Sequence, residues 1–372
     1  AATIALPVAT AQFGFFGCLL LFFFSWLLMS WTGCLTLEAN SHLNANASFI
    51  SMAQYSLGNT AANIVLISYS CLLYVLLTAY ITGGGDILIN ILPNNSSAGT
   101  TIWTISGLIV LALGIKQIDN INKLMLLGLA VSFIVMLIWT IANVDWQKLN
   151  NFNFSMDHQA LLIIFAAFGF QVIIPTIRNY SDSNFKLVKK AIIYGSSLPL
   201  LIYISWSICI FGTIPLLGNN GLIALQQQGH LTHLIPIWMA HASSNIHLQT
   251  GVNIFIFFAI ATSFLGIAIS LYDFIKDIFI NQAKIKKINI KWHIVILVSV
   301  LLPPWLYAHY WPNNFVKVLQ NAGVLVVLLN IILPIIMVLK LRYSNKKAGF
   351  TVGGNIIYLW LGLCFSLLFL FL

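Results

Sequence analysis

Apolar residues in this chain come in long unbroken runs rather than in alternation or on one helical face. Stretches free of Asp, Glu, Lys and Arg cover 1–37, 39–85, 87–115, 124–144, 158–177, 191–272, 292–316, 318–339 and 348–372. A helix that crosses the hydrocarbon core of a bilayer needs about 20 such residues. Several stretches are long enough for two helices joined by a polar turn, and Gly, Pro, Asn and Ser clusters place the breaks. The expected spans are 1–12 (a partial helix), 15–38, 62–92, 101–115, 123–143, 159–180, 190–213, 247–275, 292–309, 314–339 and 353–372, eleven in all.

Composition agrees with this pattern. Of 372 residues, 60% are hydrophobic and 7% charged, where a soluble domain carries about 25% charged residues. A mean hydropathy of +0.94 cannot come from one apolar segment. The expectation is an all-α integral membrane protein, which excludes a soluble enzyme, a nucleic-acid binder and a disordered chain. Five scattered cysteines (Cys18, Cys34, Cys71, Cys209, Cys364) show neither metal nor disulfide spacing and read as small apolar filler.

Charge sets the orientation. The net charge of +9 comes from 17 Lys/Arg against 8 Asp/Glu, and 15 of those 17 fall on alternate loops. They are Lys116 and Lys123; Arg178, Lys186, Lys189 and Lys190; Lys276, Lys284, Lys286, Lys287 and Lys291; and Lys340, Arg342, Lys346 and Lys347. Lys148 and Lys317 alone lie on the other side. The basic side is cytoplasmic by the positive-inside rule, so the N-terminus is expected inside and the C-terminus outside. The segment 214–246 falls outside as a re-entrant or surface-lying cap. Its His230, His233 and His241, with His247, match no standard metal-ligand spacing and read as solvated loop residues. The chain opens Ala1-Ala2-Thr3 with neither Met nor a basic leader, and its natural N-terminus is expected upstream.

Two spans look interrupted. Pro7 sits just inside the first, and Phe165-Ala-Ala-Phe-Gly169-Phe170-Gln171-Val-Ile-Ile-Pro175 crosses the middle of the sixth. Gly and Pro free backbone N–H and C=O groups from the helix, and lipid tolerates this only where the groups are reused, usually around a ligand cavity. A packing kink is the plainer explanation for either break alone. The two broken helices are five spans apart, however, so the five-helix units around them run in opposite directions, as in many secondary transporters. Carboxylates at membrane depth are costly and hence functional candidates. Asp86 follows Gly83-Gly84-Gly85 near the outer end of span three, while Asp273 and Asp277 sit beside Lys276 at the cytoplasmic end of span eight. Thr262 and Ser263 lie deeper, and their hydroxyls either bond the preceding helical turn or serve as Na⁺ ligands.

On these residues the chain resembles the bacterial hydroxy/aromatic amino acid permeases, with the tyrosine-transporting members nearest. The matching blocks run in order along essentially the whole chain: Ala5-Leu6-Pro7; Thr78-Ala79-Tyr80-Ile81-Thr82-Gly83-Gly84-Gly85-Asp86; Ala167-Phe168-Gly169-Phe170 with Pro175; Gly195-Ser196-Ser197-Leu198-Pro199-Leu200; Ala261-Thr262-Ser263-Phe264-Leu265-Gly266 continuing to Asp273; Leu302-Pro303-Pro304; and Ala348-Gly349-Phe350. The resemblance implies a LeuT-type 5+5 inverted repeat plus an eleventh helix, with the first helix incomplete at its N-terminal half. The first repeat would be 1–143, the second 159–339, and helix 11 would be 353–372. It implies symport of an aromatic amino acid, tyrosine foremost, across the bacterial inner membrane by alternating access.

The resemblance also assigns roles. The substrate carboxylate would rest on Ala1, Ala2 and Thr3, where the family has Gly-Ala-Gly, and Ala2 in place of Gly narrows the backbone approach. Phe168, Gly169, Phe170 and Gln171 would face the amine and ring, joined by Tyr80 and Phe264. Ala259, Thr262 and Ser263 have the spacing of the sodium site of Na⁺-coupled relatives. Span 123–143 holds no basic residue beyond Lys123 to replace that ion, which favours Na⁺. Against it, the tyrosine permeases are regarded as proton-driven, and Asp86 is then the candidate proton carrier. The coupling ion stays open between H⁺ and Na⁺, and no other cofactor and no metal site is expected. The partners are the amino acid and membrane lipid.

Serine or threonine is the nearer alternative substrate. An intramembrane enzyme would need H-E-x-x-H, paired midplane Asp or a Ser/His dyad, which the sequence lacks. A channel would need a filter, and Gly83–Gly85, its one filter-like feature, reads better as close helix packing.

Overall fold

A computed structural model describes residues 2–371, apart from 45–46, 91–95, 114, 154–156, 183, 219, 228–229, 244–245, 283–289, 313 and 345–347. Every regular element among the described residues is helical: α1 (Ala2–Ala9), α2 (Gly14–Ser41), α3 (Phe49–Leu57), α4 (Asn59–Ile87), α5 (Ser96–Ala112), α6 (Ile115–Ile141), α7 (His158–Ala167), α8 (Ile174–Tyr180), α9 (Phe185–Thr213), α10 (Leu222–Gln227), α11 (Leu231–Ser243), α12 (Ile246–Gln282), α13 (Ile290–Tyr310), α14 (Phe315–Val326), α15 (Leu333–Tyr343) and α16 (Ile356–Phe371). In lipid the backbone must satisfy its own hydrogen bonds, so long apolar runs become helices whatever their β-branched content. Ser and Thr within them turn inward. The Thr36, Thr78, Thr82, Thr140 and Thr213 hydroxyls each donate to the carbonyl four residues back.

Eight of these stretches are long and apolar enough to cross a membrane, which makes the chain a multi-pass membrane protein. The first expected pair lies within one apolar stretch, Ala2–Ser41, which a 3-10 turn at Ala11–Phe13 and Gly14 interrupt. Gly14 has φ +68°, and a Cβ there would sit 2.7 Å from the Asn151 carbonyl oxygen, so only glycine fits. The fourth and eleventh expected spans are shorter apolar helices, Ser97–Ala112 and Ile356–Leu367. At 1.5 Å per residue such helices cover roughly 18–24 Å, less than the ~30 Å of hydrocarbon. The long helix α12 runs to Gln282, two turns beyond the expected end at 275, because Lys276 and Asp277 are tolerated once a helix leaves the apolar zone. The expected cap 214–246 contains α10 and α11 and has a buried face that includes Leu222, Leu225, Leu231, Ile235 and Met239.

The chain forms two compact units that interleave along the sequence. One holds 1–16, 73–154 and 205–319. In it α6 packs along α12, α11 also lies on α12, α13 lies on α5, and α10 lies on α1. Glycines set the closest approaches: a Cβ on Gly84 would lie 2.2 Å from the Trp103 ring, and one on Gly85 would lie 2.5 Å from the Thr100 methyl and 2.8 Å from its backbone nitrogen. The Gly83–Gly85 run is thus a packing surface for α5.

The other unit holds 17–72, 155–204 and 320–372. Its apolar centre is Cys34, Leu37, Ile174, Val188 and Ile192, packed with Phe170, Ile177, Phe185, Phe350 and Val352. Glu38 and Arg342 close one end of it. Arg342 Nε donates to Glu38 Oε1 at 2.7 Å and its Nη2 to Oε2 at 2.8 Å, while the Val352 N–H donates to Oε2 at 2.6 Å. Arg342 also donates to the Gly354 and Val352 carbonyls. Arg178 lies over the Phe185 ring and donates to Asn40 and to the Leu43 carbonyl. Between α14 and α15 the chain runs as a π-helix, Val327–Ile332, with the Leu333 N–H donating to the Leu328 carbonyl. Pro334 explains it: proline has no N–H to give Asn330, so the ladder shifts register ahead of it.

Candidate functional site

The interruption expected in the sixth span is present. Helix α7 ends at Ala167, Phe168–Phe170 leave the helix, Gln171–Ile173 form a 3-10 turn, and α8 restarts at Ile174 with Pro175 in its first turn. Proline suits that position because the first-turn N–H has no intrahelical partner. The freed groups are partly reused. The Tyr203 hydroxyl donates to the Ala167 carbonyl at 2.7 Å, and its ring meets Phe168 edge-on at 5.1 Å. Gln171 is fully buried, with Nε2 donating to the Met29 carbonyl at 3.2 Å and to Thr32 Oγ1 at 3.1 Å. The Phe170 ring lies against Gly33, where a Cβ would come within 3.1 Å of it. A cavity of about 200 Å³ lies beside the break, walled by Phe168, Phe170, Ile173, Ile192, Ser196 and Pro199 among others. Removing the hydroxyl with Tyr203→Phe leaves the Ala167 carbonyl without that donor. This is expected to cost about 1–3 kcal/mol, read as a shift in the unfolding midpoint in detergent.

Among the described residues, the buried oxygens Gln171 Oε1 and Asn330 Oδ1 of this unit have no hydrogen-bond partner. Asn330 sits in the π-helix, and its amide nitrogen lies 3.3 Å from where a Gly169 Cβ would be. Such orphans are rare in native interiors and call for a partner the protein itself does not supply. The sequence pointed to Gln171 through the broken helix but not to Asn330. Its signal was an Asn deep in the apolar run 318–339, four residues before a proline.

The remaining expected residues lie in the other unit. Ala1 lies outside the described residues. Ala2 and Thr3 are half-buried at the start of α1. Tyr80 is buried on α4. Phe264 is buried on α12, its ring edge-on to Trp103 at 6.3 Å and filling the space that Gly107 leaves. In the expected sodium set, Thr262 donates to the Phe258 carbonyl and Ser263 to the Ala259 carbonyl, both at 2.8 Å.

Asp86, near the end of α4, is buried and bonded. Its Oδ1 is 2.8 Å from His230 Nδ1. His230 is partly exposed but paired with this carboxylate, where the sequence reading expected a solvated loop residue: an intramembrane carboxylate needs a partner, and this one comes from 144 residues away. Next to His230, the Thr232 hydroxyl donates to the Gly83 carbonyl at 3.0 Å. His233 lies on the same helix α11, where burial first, then the neighbouring His230, lowers its imidazole below the usual range, and Asp86 partly opposes them. Among the described residues no three His, Cys, Asp or Glu side chains gather to hold a metal.

Comparison with known proteins gives this arrangement a context. The model of the tryptophan/tyrosine permease family matches residues 1–371. The chain is similar to the tyrosine-specific transport system 1 of Haemophilus influenzae, 28% identical over 96% of this chain and 88% of that one. It is similar to the same organism's tryptophan-specific transport protein, at 28% over 95% of this chain and 88% of the relative. The low affinity tryptophan permease of Escherichia coli (strain K12) is 29% identical over 95% of this chain and 87% of its own length. A break in a membrane helix beside buried amide oxygens that find no donor among the described residues, and a match that spans nearly every residue, lead to one assignment: the chain belongs to the tryptophan/tyrosine permease family.

Proposed function

We propose that the chain is a secondary symporter that imports an aromatic amino acid, tyrosine or tryptophan, across the bacterial inner membrane. The observation that carries this reading is the family match along the whole chain, in which the relatives are named for tyrosine or tryptophan transport. The helix break at Phe168–Phe170 supports it, because unwound backbone at membrane depth is stable only where a ligand or cavity uses it. In this reading Ala1, Ala2 and Thr3 hold the substrate carboxylate, and Phe168, Gly169, Phe170 and Gln171 with Tyr80 and Phe264 hold the amine and ring. The fold is the LeuT-type inverted repeat, 1–143 against 159–339, followed by a last helix at 353–372. The N-terminus is cytoplasmic and the C-terminus periplasmic. The driving ion is Na⁺ at Ala259, Thr262 and Ser263, or H⁺ carried by Asp86.

Uptake of radiolabelled tyrosine and tryptophan into proteoliposomes tests the substrate, run once with a Na⁺ gradient and once with a proton gradient. The expected result is saturable accumulation under one gradient, competed by aromatic amino acids and not by serine. No accumulation of either under both gradients overturns the aromatic symporter. Accumulation of serine or threonine instead would assign the alternative substrate class.

A further inference from the structure

The contact between Asp86 and His230 has features that a packing contact alone does not require. Asp86 closes a membrane-spanning helix, and its side chain is 2% exposed, whereas that of His230 is 27% exposed. The pair therefore joins a buried carboxylate to an imidazole that water reaches. The second carboxylate oxygen, Oδ2, is buried and makes no hydrogen bond among the described residues. His230 holds a left-handed backbone, φ +61°, which histidine adopts more readily than most non-glycine residues. It stands one residue before α11, so its side chain and Thr232 together tie the start of that helix to the last turns of α4.

Few charges bear on this contact. The titratable groups acting on Asp86 are His230 and His233. Helix α5, packed on Gly85 through Thr100, has no titratable side chain between Ser96 and Ala112. Helices α12 and α14 meet Gly83 with Ile260 and Phe315. Burial and the adjacent His230 disfavour charge on the His233 imidazole.

We propose that Asp86 and His230 form a proton-binding latch: one proton shared by the pair ties α11 to α4, and either gain or loss of a proton loosens it. With one proton the pair is a carboxylate facing an imidazolium, a charge-assisted bond with no net charge to bury. A proton gained from water goes onto Oδ2 and leaves a neutral acid beside an imidazolium. A proton lost to water from His230 Nε2 leaves a neutral imidazole beside a buried carboxylate. Both states put an uncompensated charge at the site, so the latch is tightest at intermediate pH and titrates in two coupled steps. This deepens the proton-coupled form of the proposed function and rests on that reading for its link to transport.

Amide hydrogen exchange of the full chain in nanodiscs tests the latch without any transport. It would be followed in peptides covering 231–243 at about pH 5, 6.5 and 8.5, which bracket the ordinary carboxylate and imidazole ranges, after correction for intrinsic rates. The expected wild-type result is protection at the middle pH about fivefold above either extreme. In Asp86→Asn the acid limb disappears, and in His230→Asn, which accepts a left-handed backbone, the alkaline limb disappears. Protection of wild type that is equal at all three pH values overturns the proposal, as does a bell retained in both variants. A parallel arm measures tyrosine and tryptophan counterflow across the same pH range, with the same inflections expected. If wild type exchanges neither amino acid, the transporter reading falls while hydrogen exchange still decides the latch.

Discussion

Replacing Arg342 with alanine is expected to destabilise the protein by about 3–5 kcal/mol, the range for removing one partner from a buried ion pair. Glu38 would stay behind with its side chain 2% exposed. It would keep the Val352 N–H but lose both guanidinium donors. The Gly354 and Val352 carbonyls would lose the donors Arg342 gives them as well. Arg342→Lys restores a charge but not the planar fork, so it is expected to recover part of the loss. The double variant Glu38→Met with Arg342→Met leaves no orphan charge and is expected to fall closer to wild type than Arg342→Ala does. Unfolding in detergent, followed by tryptophan fluorescence, separates these cases. A change under about 1 kcal/mol in Arg342→Ala would place the pair among solvent-screened surface contacts and refute this account.

The second large effect is expected at Gly323. A Cβ on that residue of α14 would sit 2.2 Å from the Leu162 carbonyl oxygen and 2.5 Å from its carbon. Backbone atoms cannot rotate away as a side chain would, so Gly323→Ala forces α14 and α7 apart. Overpacking of this kind costs about 1–3 kcal/mol, sometimes more. The displaced helix α7 ends five residues on, at the break, so the movement reaches Phe168 and Gly169 and uptake is expected to fall with stability. Gly266→Ala is the control: nothing lies within 4 Å of a Cβ there, and helix propensity favours alanine. If both alanine variants melt and transport like wild type, the close approach of α7 and α14 is wrong.

The spans and the break were legible because each rests on local chemistry. A run of twenty apolar residues has no water to bond its backbone and must close its own hydrogen bonds. Phe168-Gly169-Phe170 ahead of Pro175 weakens the helix between them wherever the rest of the chain lies. Gly83–Gly85 read as a packing surface for the same reason, since three residues without Cβ invite a neighbour. Positions that matter through a distant partner were not legible in this way. His230 looked like a loop residue because nothing within a helical turn of it marks Asp86. Asn330 is one Asn inside the apolar run 318–339, and Glu38 follows the run 1–37; neither position marks its partner.

The sequence by itself therefore determined what the backbone must do in lipid: helical spans, the break in the sixth, and the side chains too polar to be left in them unpaired; the break expected at Pro7 is not there, since α1 runs through it. It also carried, through ordered blocks from Ala5 to Phe350, the resemblance to the permease family. The tertiary structure alone decided which polar groups answer one another. Asp86 meets His230 across 144 residues, Glu38 meets Arg342 across 304, and Gln171 reaches the Met29 carbonyl across 142. Helix formation depends on neighbours along the chain. Pairing of buried charges and amides depends on which helices pack side by side, and no pattern within a single helix encodes that.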